Sequence, residues 1–166
     1  MTAGYLRHGN RYQDIGKIGV PIEILSSPAP LSTLQLGIVR QRATSGYAIL
    51  KTIKFDWPVA EIVRQHHERF DGSGYPRGLG GEEIMLEALI LAVADMLEVM
   101  VSHRPYRPAL GMETAIDELR TNRGVLYDSA VVDALMEIDV GSVLDPGRAD
   151  QDLVMWERPG LLAALD

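Results

Sequence analysis

The chain has 166 residues, 46% hydrophobic and 23% charged, which is the usage of one ordinary globular domain rather than of a disordered segment. Sixteen basic against 23 acidic residues give a net charge of −7, which disfavours general nucleic-acid binding because little counterion release is available to drive it. The absence of cysteine excludes a disulfide framework, thiolate zinc sites and cysteine nucleophiles, so any metal must sit on His, Asp and Glu.

The first residues hold no apolar core of a secretory signal. Val20 to Pro30 carries Pro21, Pro28 and Pro30 and reads as a loop. Leu31 to about Lys54 is predicted helical, opened by a Ser32-x-x-Gln35 capping box, with Val39, Gly46, Ile49 and Ile53 on one face. Pro58 suits the first turn of a helix through Val59, Ile62, Val63 and His66. Asp71 to Gly81 holds five glycines and a proline and must be a long loop. The apolar stretch Ile84–Val101 approaches the roughly 20 residues of a membrane span. Glu87, Asp95 and Glu98 lie inside it and would be expensive in a bilayer, so a core helix around Ala88–Val101 and a cytoplasmic protein without a membrane span are expected.

A proline-punctuated turn follows at Arg104–Pro108, then short helices over about Met112–Asn122 and Ser129–Ile138, the second with Asp128 as N-cap. No segment alternates like a strand, so the fold class is all-α. From Asp139 the chain turns acidic, with six carboxylates against Arg148 and Arg158, and Leu153–Trp156 is its one stretch suited to docking. Three regions are expected: an atypical segment 1–11, a domain 12–138 and a tail 139–166.

His66-His67 ends an apolar helix beside Glu68 and a glycine-rich loop. Neighbouring helical residues diverge by about 100°, which suits two ions about 3.5–4 Å apart better than one. Asp95 is a carboxylate amid Leu91-Ala-Val-Ala94 and Met96-Leu97, where a charge needs a partner or a metal. Asp14 with Lys17, and Arg104 with Arg107, are bland in isolation.

Together, Asp14-Ile-Gly-Lys-Ile-Gly-Val-Pro21, His66-His-Glu-Arg-Phe-Asp-Gly-Ser-Gly-Tyr-Pro76, Ile90-Leu-Ala-Val-Ala-Asp95 and Arg104-Pro-Tyr-Arg107 resemble the HD-GYP domain, a branch of the HD metal-dependent phosphohydrolases, over about residues 12–138. The resemblance implies an HD-type helical bundle holding divalent metal ions, most often iron or manganese, and hydrolysing cyclic di-GMP to pGpG or GMP in bacterial signalling. It implies Asp14, His66, His67 and Asp95 as metal ligands, with Asp14 and Lys17 the catalytic pair. Lys17, Arg104 and Arg107 match phosphate-contacting cations, and Tyr75 matches an aromatic residue that stacks on guanine. The resemblance also implies Gly74-Tyr75-Pro76 as the surface for a GGDEF-domain partner. Phosphodiester hydrolysis asks for such a set: an activated water, charge on the phosphoryl oxygens and alignment of the leaving group.

The chain departs from the pattern at three positions. Gln13 stands where the HD histidine is expected, Arg42 replaces the histidine of a His-Pro-x-x-Gly segment, and His103 replaces an aspartate. Only twelve residues precede Gln13, so the first helices of the family bundle, and the ligand they carry, are expected to be lacking. Reduced metal occupancy and weakened phosphodiesterase activity follow. The alternative is a non-catalytic module binding cyclic di-GMP or a protein partner, with hydrolysis of another nucleotide a lesser option. Apolar faces left uncovered favour a homo-oligomer.

Overall fold

The computed structural model describes residues 12–27, 29–103 and 108–138. A 3-10 turn, Ile15–Gly19, precedes α1 (Ile22–Leu25), α2 (Thr33–Leu50) and α3 (Val59–Gln65). The glycine-rich loop and a second 3-10 turn, Gly81–Glu83, lead to α4 (Leu86–Val101), α5 (Met112–Thr121) and α6 (Ser129–Met136). Among the described residues there is no strand, only an isolated bridge between Arg123 and Tyr127, and the fold is all-α. The outer segments 1–11 and 139–166, with Leu153–Trp156, lie outside the described residues, as does Arg104–Arg107.

Local chemistry sets the helix ends. The Ser32 hydroxyl accepts from Gln35 N at 3.3 Å while Gln35 Oε1 accepts from Ser32 N at 2.9 Å, completing the capping box. The Asp128 carboxylate accepts from Ala130 N and Val131 N at 2.9 and 3.0 Å. Pro58 is the N-cap of α3 rather than its first helical residue.

Helix α2 stops at Leu50, short of the expected Lys54. Phe55 and Trp57 turn back to pack on Leu50, Val59 and Val63, and burying two aromatic rings outweighs one more helical turn. Its buried stripe is Ala43, Gly46 and Leu50, whereas Ile49 and Ile53, predicted to face inward, are exposed. The reason is close approach by the first 3-10 turn: a Cβ on Gly16 would lie 1.9 Å from Arg42 O. Only small residues at this contact let the two backbones meet, so the helix turns its small face inward.

The main core joins Ile62 of α3, one flank of α4 (Ala88, Leu89, Ile90, Val93, Leu97), and α5 and α6 through Ala115, Leu119, Val131, Val132 and Leu135. Ile18, Ile22 and Leu34 stay exposed beside α1 and the start of α2. Among the described residues no helix is long and apolar enough to cross a membrane.

Candidate functional site

The first residues of the site come from the end of α3. His66 is its C-cap, and the chain then leaves helical geometry, so the 100° divergence expected of the two histidines does not apply. Their ring centroids lie 3.8 Å apart. The glycine-rich loop folds back over this end: Tyr75 N donates to His67 O at 3.1 Å. Gly74 is required there, since a Cβ would come within 2.4 Å of Glu68 Cα. Pro76 follows through a cis peptide bond.

Glu68, almost fully buried, holds the loop in that position. Its two carboxylate oxygens accept from Arg77 N at 2.8 Å and Leu79 N at 3.1 Å. In Glu68→Gln only one oxygen remains, and an amide N–H must face a backbone donor. A loss of about 1–3 kcal/mol is expected, because a buried donor left unmade costs that much. Urea denaturation measures it, and an unchanged midpoint would show that the loop is held without this carboxylate.

Helix α4 supplies the opposite wall. Ala92, Asp95, Met96 and Val99 follow the i, i+3, i+4, i+7 spacing and so share one stripe, distinct from the core-facing flank. That stripe lines a cavity of about 460 Å³ together with His66, His67, Tyr75 and the arginines Arg40, Arg42 and Arg69. His66, His67 and Asp95 each offer a ligand atom, all within 4.8 Å of one another.

Hydrogen bonds assign the imidazole tautomers. His66 Nδ1 lies 2.6 Å from Val63 O, and because a carbonyl only accepts, Nδ1 carries the proton and Nε2 the lone pair. On the other ring, Arg42 Nε donates to His67 Nε2 at 3.0 Å, with NH2 2.7 Å from the same nitrogen. Arg42 NH2 also donates to the Tyr75 hydroxyl at 3.3 Å. Burial lowers the pKa of His66 from 6.5 to about 4, the Val63 carbonyl opposing and Arg42 reinforcing the fall. Burial, then the neighbouring His66 and Arg42, pushes His67 further down. Both rings are neutral at pH 7, as a ligand must be.

The sequence-expected residues therefore divide. His66, His67 and Asp95 converge on one cavity, and Tyr75 joins them with its ring stacked on His67 at 4.9 Å. Asp14 stands apart from that three-residue group: its carboxylate is 58% exposed and pairs with Lys17 Nζ at 2.7 Å. The negative charge of Asp14 nonetheless reaches His66, partly offsetting the fall in its pKa. Gly74 and Pro76 shape the loop beside the cavity, and His103 is exposed at the end of α4. Arg104 and Arg107 lie outside the described residues. Sequence reasoning missed the roles of Glu68, Arg40 and Arg69. A lone carboxylate directly before a run of unpaired loop N–H groups was the available signal for Glu68.

The donor set suits one divalent ion. Two neutral imidazoles and a carboxylate are a ligand combination for iron and related first-row metals. His66 Nε2 is ready for such an ion, whereas His67 Nε2 is engaged by Arg42. Gln13, in the place of the HD histidine, contributes a buried Oε1 with no hydrogen-bond partner.

Comparison with known proteins identifies relatives of the chain. The HD domain family matches residues 6–131. A cyclic di-GMP phosphodiesterase of Thermotoga maritima is 42% identical over 143 residues, covering 84% of this chain and 38% of that protein. A cyclic di-GMP phosphodiesterase response regulator of Xanthomonas campestris is 42% identical over 125 residues, 74% of this chain and 33% of its own length. A 3'3'-cGAMP-specific phosphodiesterase of Vibrio cholerae is 34% identical over 131 residues, 79% of this chain and 28% of its own. The chain thus spans well under half the length of each of these relatives. The all-helical architecture, the His66-His67 pair converging with Asp95, and the Gly74-Tyr75-Pro76 loop closed over them belong together: this chain is a member of the HD domain family, in its HD-GYP branch.

Proposed function

We propose that the chain is a phosphodiesterase module for cyclic di-GMP whose turnover is weakened at Arg42. The observation that carries this reading is the convergence of His66, His67 and Asp95 on a cavity also lined by arginines and Tyr75. Such a cavity offers ligands for a metal and cations for a phosphate at the same place. His66, His67 and Asp95 would hold a divalent ion, iron or manganese by the family pattern, which supplies positive charge to a phosphoryl oxygen and acidity to water. The arginines orient the phosphodiester through planar forks that match its oxygens. Lys17, paired with Asp14 and near enough for its charge to act on His66 and His67, adds a mobile point charge, and the loop holding Tyr75 shields one side from water. The reading extends to one domain over residues 12–138 in the cytoplasm, a GGDEF-domain partner at Gly74-Tyr75-Pro76, and self-association through the exposed Ile18, Ile22 and Leu34.

The bond from Arg42 to His67 Nε2 favours a second reading, a module that binds the nucleotide without cleaving it. Nucleotide chromatography after incubation of the full chain with manganese or ferrous iron separates the two. Little or no conversion of cyclic di-GMP to pGpG or GMP is expected from the unmodified protein. Robust conversion abolished by Asp95→Ala would overturn the weakening and keep the site. Conversion of 3'3'-cGAMP in preference to cyclic di-GMP would overturn the substrate.

A further inference from the structure

Arg42 is more than a missing ligand. Its guanidinium is anchored through Nε and NH2 on His67 and through NH2 on the Tyr75 hydroxyl, both neutral acceptors. Among the described residues NH1 makes no hydrogen bond. Arg40 lies with its guanidinium carbon 5.5 Å from the Tyr75 ring centroid, and Arg69 lies 5.0 Å from that of Tyr127. The ion pairs among the described residues, such as Lys17 with Asp14 and Arg77 with Glu61, leave these three arginines out. The cavity is thus lined by three arginines and one carboxylate, Asp95, in a chain whose overall charge is −7. That is a local reversal of sign, and cavity walls of low dielectric strengthen it.

We infer that Arg42, with Arg40 and Arg69, forms a subsite that takes a phosphodiester anion without any metal, the fixed guanidinium standing in for the positive charge a metal would bring. This inference deepens the reading above but does not depend on the nucleotide's identity. An arginine fork held by neutral partners keeps its full charge for the ligand and is already oriented, so little freedom is lost on binding. Histidine in the same position would instead add a metal ligand. The chain has therefore exchanged metal dependence for direct anion binding at one position.

The test uses the full chain, stripped of metal and kept in EDTA, with bis(4-nitrophenyl) phosphate as the probe and calorimetry as the readout. Binding is expected in EDTA, with 4-nitrophenol, which lacks the phosphate, failing to bind. Arg42→Ala should weaken it on the order of 10–100-fold, the value of a charge-assisted contact, and Arg42→Lys should recover part of the loss. Arg42→His should weaken binding in EDTA about as much as Arg42→Ala and, unlike Arg42→Ala, recover it when manganese replaces the chelator. Arg40→Ala, at an exposed position that does not endanger folding, should weaken binding about 10-fold. The inference falls if the unmodified chain binds the probe only with manganese, if 4-nitrophenol binds equally well, or if Arg40→Ala and a folded Arg42→Ala bind unchanged. Binding of bis(4-nitrophenyl) phosphate without binding of cyclic di-GMP would overturn the proposed substrate and leave this subsite standing.

Discussion

Replacing Arg42 by histidine is expected to raise the affinity of the chain for manganese or iron by at least about 10–100-fold, the scale on which a metal site responds to the groups that tune its ligands. The substitution removes two N–H donors from His67 Nε2 and frees the lone pair a metal needs. It also removes a permanent charge. A unit charge and a divalent ion about 4 Å apart repel by about 8 kcal/mol at an effective dielectric of about 20, more than a single ligand bond returns. The guanidinium therefore opposes an ion at the same place and lowers its occupancy. Elemental analysis after reconstitution reads the outcome, and the unmodified chain should hold fewer than two metals. Two tightly held metals per unmodified chain would sink this view of Arg42. Hydrolysis of cyclic di-GMP should follow only when Gln13→His is combined with Arg42→His, since either change alone leaves one ligand missing.

Acid should destabilise the metal-stripped protein well before its carboxylates titrate. His66 titrates near 4 in the folded chain against 6.5 when unfolded, and burial pushes His67 down as well. Below pH 6.5 the unfolded chain binds protons that the folded chain refuses, so stability falls as pH falls. The contribution is fully present above pH 6.5 and is lost on the way down to about 4. Each histidine should cost about 1.4 kcal/mol per pH unit in that window, and His66 alone about 3 kcal/mol across it. Against a total stability of about 5–15 kcal/mol, this is enough to unfold a marginal domain. Urea midpoints between pH 7 and pH 5 measure it, and His66→Asn should flatten the slope. A midpoint constant over that range in the unmodified protein would contradict neutral burial of the pair.

Local signals carried much of the fold. The Ser32–Gln35 box and the Asp128 cap are contacts within three residues, so the helix starts they set were legible from spacing. The run from Ile84 to Val101 was legible as a core helix because its three carboxylates forbid a membrane. The inward face of α2 was legible only at Gly46, because Ala43 and Gly46 carry almost no hydrophobic signal beside Ile49 and Ile53. The two small residues face inward because another backbone presses on them. Glu68 was illegible for a related reason: its two partners lie 9 and 11 residues away in a loop without periodicity.

The site divides along the same line. Residue types and their setting singled out His66, His67 and Asp95, since few chemistries place two adjacent histidines before a glycine-rich loop and an aspartate inside an apolar helix, and the family resemblance added Tyr75. Arg42 stood out as the wrong residue for a metal ligand, but its partner did not. Only the tertiary structure, by bringing α2 against the end of α3, directs the guanidinium onto a nitrogen 25 residues away in sequence. It also assembles Arg40, Arg42 and Arg69 on one cavity and leaves Asp14 outside its lining, paired with Lys17. Charge composition is additive and can be counted along a chain. The field inside a cavity depends on which charges share it and how much water is excluded, and folding alone sets both.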